Sequence, residues 1–523
     1  MIGKLRQYLE HNELDALLVN STNEYLVEYN ALEENSRYLL TGFSGSTGDA
    51  VVTRDKVYLF VDGRYHIQAD NEVNSEVVTI VKMQTGETFL SKLKEVLPEN
   101  SCLGIVAQKN SQDRYENLKK CYNVVLLDYD ILERRVETFE KIEEIDFVYC
   151  GLAKEDKISK IREKLQDGDA LLVSSLEEVS YLFNLRDFSK PYSSKISRRA
   201  LITKDYAKLY SVSDYEEYKK DLLSIKGKIF VDKKSVNARD YSLIADKAVQ
   251  SADSDVQYIH LPSDMKSVKT SFEIEHYKDC FRKTDLAVKA IRSYIENNDN
   301  ISEFDIDKKL EEYFYQYGAR SLSFKSIVAK DKNSALAHYS KSSKNEIIKD
   351  GSLILIDCGA YYEGGLATDI TRVFVKGQPN NLQRQVYTTV LKAFLNAYNT
   401  PIIADISGFD IDSKVREFFE SNPVEGFVFN HGLGHGIGIS VHEYPPNLSC
   451  NKFAKVPLKE GNCFTIEPGL YNKDYFGVRL ENSCYLYNGK IHSFVKMNYE
   501  KKLIDFDRLS AREKIWLEEF EVI

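Results

Sequence analysis

One segment of the chain returns later in the sequence, and this repeat constrains the fold more than any other feature. The residues LRQYLEHNELDALLVNSTNEYL, which begin at Leu5, are echoed by IREKLQDGDALLVSSLEEVSYL, which begin at Ile161. In both copies a helix-periodic stretch leads through an acidic turn into the apolar run ALLV, as expected for a helix that precedes a buried strand. The repeat predicts two related α/β domains. The alternative is that unrelated α/β units converged on similar sequences.

Strand-forming runs restart along the chain, and these restarts predict where the domains meet. At 523 residues the chain is too long for one hydrophobic core. The first copy continues into DAVVT and KVYLFVD, and the second into RALITKDYAKLYSV and KIFVD. Boundaries near Gly151 and Pro262 give domains at residues 1–150, 151–262 and 263–523. After Pro262, the segment SFEIEHYKDCFRKTDLAVKAIRSYIENN predicts a long amphipathic helix.

The charge and composition of the chain argue against several classes of function. A formal net charge of −10 and a pI near 5.6 disfavour nucleic acid or an anionic membrane as a partner, because both attract clustered Lys and Arg. No apolar run approaches the roughly 20 residues of a membrane span. Charges interrupt the opening MIGKLRQYLEHNELDALL, which argues against a signal peptide. Eight scattered cysteines do not suggest a disulfide framework, so we expect a cytoplasmic protein.

Acidic side chains follow or interrupt apolar strands in the last half of the sequence. In LILIDCGAYYEGGLATDITRVF, an apolar strand leads into Asp357, and Asp369 follows a Gly-rich turn before a second strand. A hairpin of this kind can bring two carboxylates face to face. Burial of carboxylates costs several kcal/mol unless they are paired, hydrogen-bonded or metal-bound. Glu467 in GNCFTIEPGLY and Glu481 in GVRLENSCYLY lie in similar strands. Taken singly, each residue could be an ordinary turn or edge-strand residue.

Three of the nine histidines fall in one glycine-punctuated stretch, FNHGLGHGIGISVHEYPP, at positions 431, 435 and 442. The glycines let the backbone turn tightly around His435 and approach a cleft. Four carboxylates and one neutral imidazole form an oxygen-rich set that suits hard divalent ions such as Mn²⁺ better than thiophilic metals. Two ions about 3.5–4 Å apart, bridged by carboxylates and a hydroxide, are a known device for hydrolysing amides. The five residues together predict a dinuclear metal site.

These motifs match one enzyme family. The runs HGLGHGIGISVHE, TIEPGLY, RLEN and DCGA followed by TDITR resemble the signatures of the metallopeptidases with the pita-bread fold. Upstream, YLLTGFSGSTGDAVVT and VDGRY resemble the N-terminal domain of the three-domain Xaa-Pro aminopeptidases (aminopeptidase P) within that family. LIDFDRLSAREKIWLEEF resembles their C-terminal extension. The resemblance implies an α/β (α+β) protein with two related creatinase-like N-terminal domains and a C-terminal pita-bread catalytic domain.

The resemblance also implies roles for the five predicted ligands. Asp357 would chelate one metal, while Asp369 and Glu481 would bridge both. His435 and Glu467 would complete the other site. Glu467 would in addition carry the proton from the attacking hydroxide to the leaving amine, which is a general acid–base task.

Four further residues are implied to lie around the metals. His338 and His442 would line the substrate cleft and donate hydrogen bonds to the peptide carbonyl as it becomes tetrahedral. His431 would be a further cleft histidine that contacts substrate. Arg479 would hold Glu481 from behind. For the three histidines, a structural hydrogen-bonded role is the alternative.

Three places depart from the family pattern. The interval from Asp357 to Asp369 is one residue longer than usual, but an extra residue in a Gly-rich turn can bulge out without moving either strand, so we expect both ligands to survive. Arg186 is present in NLRDFSKPYSSKIS, but the residues after it differ from the family's Arg-Gly-Ser-Asp segment, which leaves open whether this domain reaches the substrate. NSTNEYLVEY lacks the acidic and imidazole residues usual near the start.

The leading hypothesis is a dinuclear metal aminopeptidase that removes the N-terminal residue when proline is second. An Xaa-Pro bond is a tertiary amide without an N–H, so it requires a dedicated pocket. A prolidase-like dipeptidase is one alternative. A partner-binding protein of the same fold that has lost its metals is another, although the complete ligand set weighs against it. The resemblance further implies a homodimer with two divalent ions, best Mn²⁺, with Co²⁺, Zn²⁺ or Fe²⁺ as alternatives.

Overall fold

The chain divides into two compact units. The computed structural model describes residues 1–28, 30–84, 86–134, 139–249, 258–339, 341–403 and 405–520. The first unit comprises Met1–Phe139, Lys154–Phe183 and Ile196–Pro262, and the second comprises Glu140–Ala153, Asn184–Lys195 and Ser263–Ile523. Two short segments, 140–153 and 184–195, thus belong with the C-terminal part of the chain. The finer division into three domains stays a prediction.

Strands and helices alternate through the first half of the chain. Residues 1–139 contain α1 (Ile2–His11), β1 (Ala16–Val19), α2 (Ser36–Thr41), β2 (Asp49–Thr53), β3 (Val57–Val61), α3 (His66–Glu72), β4 (Val78–Lys82), α4 (Phe89–Val96), β5 (Cys102–Val106), α5 (Gln112–Lys119) and β6 (Asn123–Leu127). Residues 140–260 contain β7 (Ile142–Glu144), α6 (Phe147–Cys150), α7 (Lys154–Arg162), β8 (Ala170–Val173), α8 (Leu176–Phe183), β9 (Leu185–Asp187), β10 (Arg199–Thr203), β11 (Ala207–Tyr210), α9 (Tyr215–Ser224), β12 (Ile229–Val231) and α10 (Ala238–Ser242).

The second half is richer in long helices and in antiparallel strands. It contains α11 (Leu261–Ser267), α12 (Ser271–Asn297), α13 (Glu303–Gln316), β13 (Ser321–Leu322), β14 (Ile327–Lys330), β15 (Leu353–Cys358), β16 (Ala360–Tyr361), β17 (Ile370–Val375), α14 (Asn381–Tyr398), α15 (Gly408–Ser421), β18 (Gly434–Gly436), β19 (Glu443–Leu448), β20 (Cys463–Ile466), β21 (Gly469–Tyr471), β22 (Gly477–Arg479), β23 (Glu481–Tyr487), β24 (Lys490–Ser493) and α16 (Ala511–Leu517).

Two sheets of the first unit repeat one arrangement. The larger has the strand order β4-β3-β2-β1-β5-β6 and the smaller has the order β11-β10-β8-β12. In each, the strand made by the ALLV run is antiparallel to one neighbour and parallel to the other. The registers also agree, because Ala16 pairs with Thr53 and Ala170 pairs with Thr203. The repeat in the sequence therefore corresponds to two related α/β sheets, as predicted.

A buried polar cluster joins the two copies within the first unit. The Arg199 guanidinium is 2.8 Å from an oxygen of Asp240 in its own copy and 3.5 Å from an oxygen of Glu24 in the other. The Tyr25 hydroxyl donates to the backbone carbonyl of Ser197 at 3.0 Å. Because Arg199 is only 2% exposed, this contact is part of the interior of the unit.

The second unit is organised around an antiparallel sheet of order β14-β15-β17-β23-β20-β18-β19, with β24 paired to β23. Its β15 and β17 are the arms of the predicted hairpin, and they pair without interruption from Leu353–Val375 to Cys358–Ile370. The longer turn between them contains Gly364 and Gly365, whose φ angles of 84° and 70° suit glycine. The turn accommodates the extra residue and the strands stay in register, as expected.

The core of the second unit lies between this sheet and helices α14 and α15. Leu353 and Leu355 of β15 and Val373 and Val375 of β17 belong to one buried cluster with the apolar face of α14. Side chains two residues apart on a strand share a face. On β15 the next side chain on the face of Leu353 and Leu355 is therefore Asp357. On β17 the side chains that continue the face of Val375 and Val373 are Thr371 and then Asp369. The acidic residues therefore stand at the polar end of the core.

Two observations bear on the classes considered above. Among the residues that the structure describes, none of the helices has both the length and the apolar character that a membrane crossing needs. All eight cysteines are free thiols, in agreement with the absence of a disulfide framework. Cys358, next to a predicted ligand, is completely buried, and burial raises the pKa of its thiol well above the usual value. A buried thiol with a raised pKa is unreactive, so Cys358 serves as a small packing residue.

Candidate active site

The five predicted metal ligands come from neighbouring strands of one sheet. Asp357 lies in β15, Asp369 directly precedes β17, His435 lies in β18, Glu467 directly follows β20 and Glu481 opens β23. The strands β15, β17, β23, β20 and β18 follow one another in the sheet. Residues far apart in the sequence are therefore gathered at one place.

His435 stands among the carboxylates. Its Nε2 atom is 3.5 Å from an oxygen of Asp369 and 3.6 Å from an oxygen of Glu467. Ligand atoms of Asp369, His435 and Glu481 all lie within 4.8 Å of one another. The Nδ1 atom is 3.0 Å from the carbonyl oxygen of Gly436. A carbonyl oxygen only accepts, so Nδ1 carries the proton and, in the neutral ring, the Nε2 lone pair is directed at the carboxylates, as metal ligation requires.

Arg479 joins several members of the site. The buried guanidinium donates to Asp357 Oδ2 at 2.5 Å, to the Tyr471 hydroxyl at 2.8 Å and to Thr371 Oγ1 at 3.1 Å. The Thr371 hydroxyl in turn donates to Glu481 Oε2 at 2.7 Å. Arg479 therefore holds Asp357 directly and reaches Glu481 through a hydroxyl, whereas the sequence led us to expect that it holds Glu481.

Three buried carboxylates each have one oxygen without a partner. Within the described residues, no hydrogen bond reaches Asp357 Oδ1, Asp369 Oδ1 or Glu481 Oε1. Burial, followed by repulsion from neighbouring carboxylates, raises the pKa of Asp369 and of Glu481 well above the ordinary range. Burial and repulsion from Glu481 raise the pKa of Glu467 to about 8. Such a cluster is costly unless cations neutralise it. The unsatisfied oxygens and the donor set therefore fit divalent metal ions.

Two of the other predicted histidines lie near this cluster or on a loop that packs against it. The ring of His442 meets the ring of His435 edge to face, with centroids 4.4 Å apart. His338 lies on the loop after β14. That loop is attached to β22, the strand of Arg479, because the Ser334 hydroxyl donates to the Gly477 carbonyl at 3.0 Å and accepts from the Gly477 N–H at 2.8 Å. His442 therefore contacts a predicted ligand directly. The position of His338 follows from its loop, which is bonded to the strand of Arg479.

His431 uses both ring nitrogens within the protein. Its Nδ1 atom is 2.7 Å from the Gly432 carbonyl oxygen and therefore carries the proton, and its Nε2 atom is 2.9 Å from the Tyr471 hydroxyl. Burial raises the pKa of Tyr471 to about 12, so the phenol stays protonated at neutral pH. Its hydroxyl therefore donates a hydrogen bond to Nε2 of His431. This geometry favours a role in orienting Tyr471 and Arg479 over the direct substrate contact predicted for His431.

Sequence reasoning missed three residues that bond to the predicted ligands or to Arg479. Thr371 and Tyr471 are the hydroxyls just described. Arg372 is almost fully buried, and its guanidinium donates to the backbone carbonyls of Thr371 and Glu481 at 2.9 and 2.8 Å. Strand alternation would have suggested Thr371, because it lies two residues after Asp369 and therefore on the same face. No local signal distinguishes Tyr471 from the chain's other 33 tyrosines, of 34 in all.

Comparison with family models places these residues in a known context. A model of metallopeptidase family M24 matches residues 275–488, which include all five converging side chains. Two models of the creatinase/prolidase N-terminal domain match residues 1–136 and 133–296. Residues 275–488 therefore form a domain of metallopeptidase family M24.

Curated relatives match over nearly the whole chain. A probable Xaa-Pro aminopeptidase P from Ajellomyces capsulatus is 28% identical, with 99% of this chain and 94% of the relative covered. Another from Paracoccidioides brasiliensis is 29% identical over the same shares. A solved X-prolyl aminopeptidase from Caenorhabditis elegans, described as a cytosolic enzyme with a di-nuclear active site, has a TM-score of 0.86 at 23% identity, covering 97% of this chain and 90% of that one. This chain therefore has the same fold, and the predicted fold class is confirmed.

Proposed function

We propose that the chain is a metal-dependent aminopeptidase that hydrolyses the bond between an N-terminal residue and a following proline. The observation that carries the proposal is the convergence of Asp357, Asp369, His435, Glu467 and Glu481, three of which present an unsatisfied buried oxygen. The names of the M24 relatives that match across the whole chain support the Xaa-Pro specificity.

Two divalent ions are the proposed cofactors, with Mn²⁺ preferred for its match to an oxygen-rich set. Asp357 would bind one ion, Asp369 and Glu481 would bridge both, and His435 and Glu467 would complete the second site. When bound, the ions supply the Lewis acidity that activates water and polarises the scissile carbonyl. The hydrogen bonds from Arg479 and Thr371 fix the orientation of Asp357 and Glu481 in advance of binding.

Glu467 is the proposed proton carrier. Its carboxylate lies 3.6 Å from the ring of His435 and 4.0 Å from the guanidinium of Arg479, so it faces the proposed metal site. A carboxyl group of this kind can accept a proton from water and pass it to the leaving amine of proline. An amide nitrogen departs poorly as an anion, so this protonation is needed for the proline nitrogen to leave.

The histidines around the metals take the proposed substrate contacts. His442 and His338 would donate hydrogen bonds to the peptide carbonyl as charge develops on its oxygen, an effect worth about 10²–10³ in rate for one donor. His431 would act through Tyr471 on Arg479. We further propose a cytoplasmic homodimer, which light scattering would report as twice the chain mass of 60.1 kDa.

The test begins with protein stripped of metal by a chelator and reloaded with Mn²⁺. Release of Ala is followed from Ala-Pro-Ala, Ala-Pro and Ala-Ala-Ala. We expect metal-dependent release from Ala-Pro-Ala alone, loss of this activity in Glu467→Ala, and normal activity in the exposed control Glu417→Gln on α15. Cleavage of Ala-Pro alone would assign the protein to the dipeptidases. No turnover with Mn²⁺, Co²⁺, Zn²⁺ or Fe²⁺ would reject the enzyme and favour a binding protein.

A further inference from the structure

A buried ionic cluster lies behind the turn that carries His442. The Glu443 carboxylate receives two ammonium groups on the same oxygen, Lys266 Nζ at 2.8 Å and Lys269 Nζ at 3.2 Å. The three side chains are between 1% and 3% exposed. Removing ions from water costs several kcal/mol each, so such a cluster is a poor device for stability alone. Buried polar groups can instead specify one conformation of the backbone around them.

The cluster is tied to the turn that precedes it. The backbone N–H of Ser440 donates to the other Glu443 oxygen at 3.2 Å, and Lys269 Nζ also donates to the Lys266 carbonyl at 2.8 Å. A side chain at Gly438 would overlap the Glu443 carboxylate, so glycine is required where the turn wraps around it. Attraction from Lys266 and Lys269 outweighs burial and lowers the pKa of Glu443 to about 2, so the group stays charged.

His442 directly precedes Glu443, whose carboxylate this cluster holds in place. Its ring lies against that of His435, with centroids 4.4 Å apart and planes at 78°. A rotation of the backbone at Glu443 would move the ring of His442 away from this position. The two lysines come from α11 and the link to α12, a segment that none of the sequence motifs quoted above includes.

We propose that Lys266 and Lys269 make Glu443 a positioning residue for His442, so that the segment 263–269 determines how this histidine meets the substrate. The proposal rests on the proposed function of His442. It predicts that the effect of the two lysines on catalysis depends on His442, because the lysines do not touch the substrate and His442 does.

The test is a double-mutant cycle between Lys266→Met and His442→Ala, with kcat and KM measured for Ala-Pro-Ala. Lys266→Met keeps the length of the side chain and leaves one ammonium for one carboxylate, so the fold should persist. We expect kcat to fall about fivefold or more in the wild-type background and less than about twofold in His442→Ala, with little change in KM. Lys269→Met should behave in the same way. Lys459→Met, which removes an exposed ion pair with Asp264 of the same segment, is the matched control and should leave kcat unchanged.

A spectroscopic readout separates positioning from general stability. In protein labelled at the histidine Cε1 carbons, the signal that disappears in His442→Ala identifies His442 among the nine histidines. In metal-free Lys266→Met this signal should shift or broaden, while that of His66 in the first unit stays in place. Equal loss of kcat in both backgrounds, or an unmoved His442 signal, overturns the inference. If His442→Ala itself leaves kcat intact, the proposed role of His442 is wrong.

Discussion

Arg479 donates to Asp357 across 2.5 Å, although their strands β22 and β15 are far apart in the sequence. The guanidinium is 3% exposed, and it presents three donors in a fixed geometry to Asp357, Tyr471 and Thr371. Lysine keeps the charge but cannot make this set of bonds.

Arg479→Lys is therefore expected to weaken Mn²⁺ binding about 10–100-fold, as other losses of ligand-orienting groups do. Calorimetric titration of the metal-free protein measures this affinity directly. Arg292→Lys is the matched control, because it alters a buried Arg–Glu pair with Glu500. Equal metal affinity in wild type and Arg479→Lys would show that Asp357 needs no such support.

The raised pKa of Glu467 predicts a pH dependence of stability in the metal-free protein. A glutamate in the unfolded chain titrates near about 4.3, whereas burial and Glu481 raise the pKa of Glu467 to about 8. The folded state therefore binds the proton more tightly. The stabilising contribution is complete below about pH 4 and is lost as the pH rises through about 8.

Thermal unfolding of metal-free wild type should thus lose more stability between pH 5 and pH 8 than that of Glu467→Gln, in which this titration is absent. Mn²⁺ should raise the melting temperature more at pH 8 than at pH 5, because the carboxylates are then free to bind it. Parallel pH profiles for the two proteins would contradict the assignment.

Glu303 predicts a second effect on stability, away from the metals. This fully buried carboxylate at the start of α13 accepts hydrogen bonds from the Lys330 N–H, the Asn333 amide, the Tyr339 hydroxyl and the Ser343 N–H. These donors lie on both sides of His338 in the loop after β14. Glu303→Gln replaces an acceptor by an amide donor, so at least one N–H or O–H loses its partner.

We expect Glu303→Gln to lower the free energy of unfolding by about 1–3 kcal/mol, and to speed hydrogen exchange of the amides of Lys330 and Ser343. Glu312→Gln on the exposed face of the same helix is the control, since Glu312 makes a surface ion pair with Lys309. Unchanged exchange at these two amides would show that Glu303 does not hold the loop.

The turn between Asp357 and Asp369 can be tested with two glycines of nearly equal backbone geometry. Gly365 has φ = 70° and Gly489 has φ = 67°. A Cβ at Gly365 would lie 2.6 Å from the Cδ atom of Arg186, whereas a Cβ at Gly489 meets nothing within 4 Å.

Both Gly→Ala variants should lose about 1–2 kcal/mol from the left-handed backbone. Only Gly365→Ala should lose a further 1–3 kcal/mol, roughly, from crowding. Urea unfolding of both variants measures the difference. Equal losses would mean that Arg186 moves aside without cost.

Local pattern was enough to predict the strands and the acidic residues that lie in or beside them. The runs ALLV, DAVVT, LILID and ITRVF form strands β1, β8, β2, β15 and β17, because hydrophobic continuity and turn glycines act over a few residues. The four carboxylates stood out because buried carboxylates are unusual wherever they occur, and His435 stood out because of its glycine-rich stretch. Their role as metal ligands stays a prediction.

The contacts between distant residues could not be predicted in this way. The bond from Arg479 to Asp357 and the lysines around Glu443 depend on which strands and helices become neighbours, and no spacing in the sequence records that. For the same reason the motif around His431 could suggest a site histidine, which stays a prediction, while its two internal hydrogen bonds could not be predicted.

The segments 140–153 and 184–195 give the C-terminal unit a discontinuous sequence. They supply β7, α6 and β9, and Arg186 and Ser194 within them donate to the carbonyl oxygens of Gly364 and Gly365 in the turn between β15 and β17. A truncated chain that begins at residue 263 would contain every predicted ligand and yet lack the supports of that turn. The peptidase unit is therefore not contiguous in the sequence. A single truncation can retain every predicted ligand, but it cannot retain the whole unit that holds them.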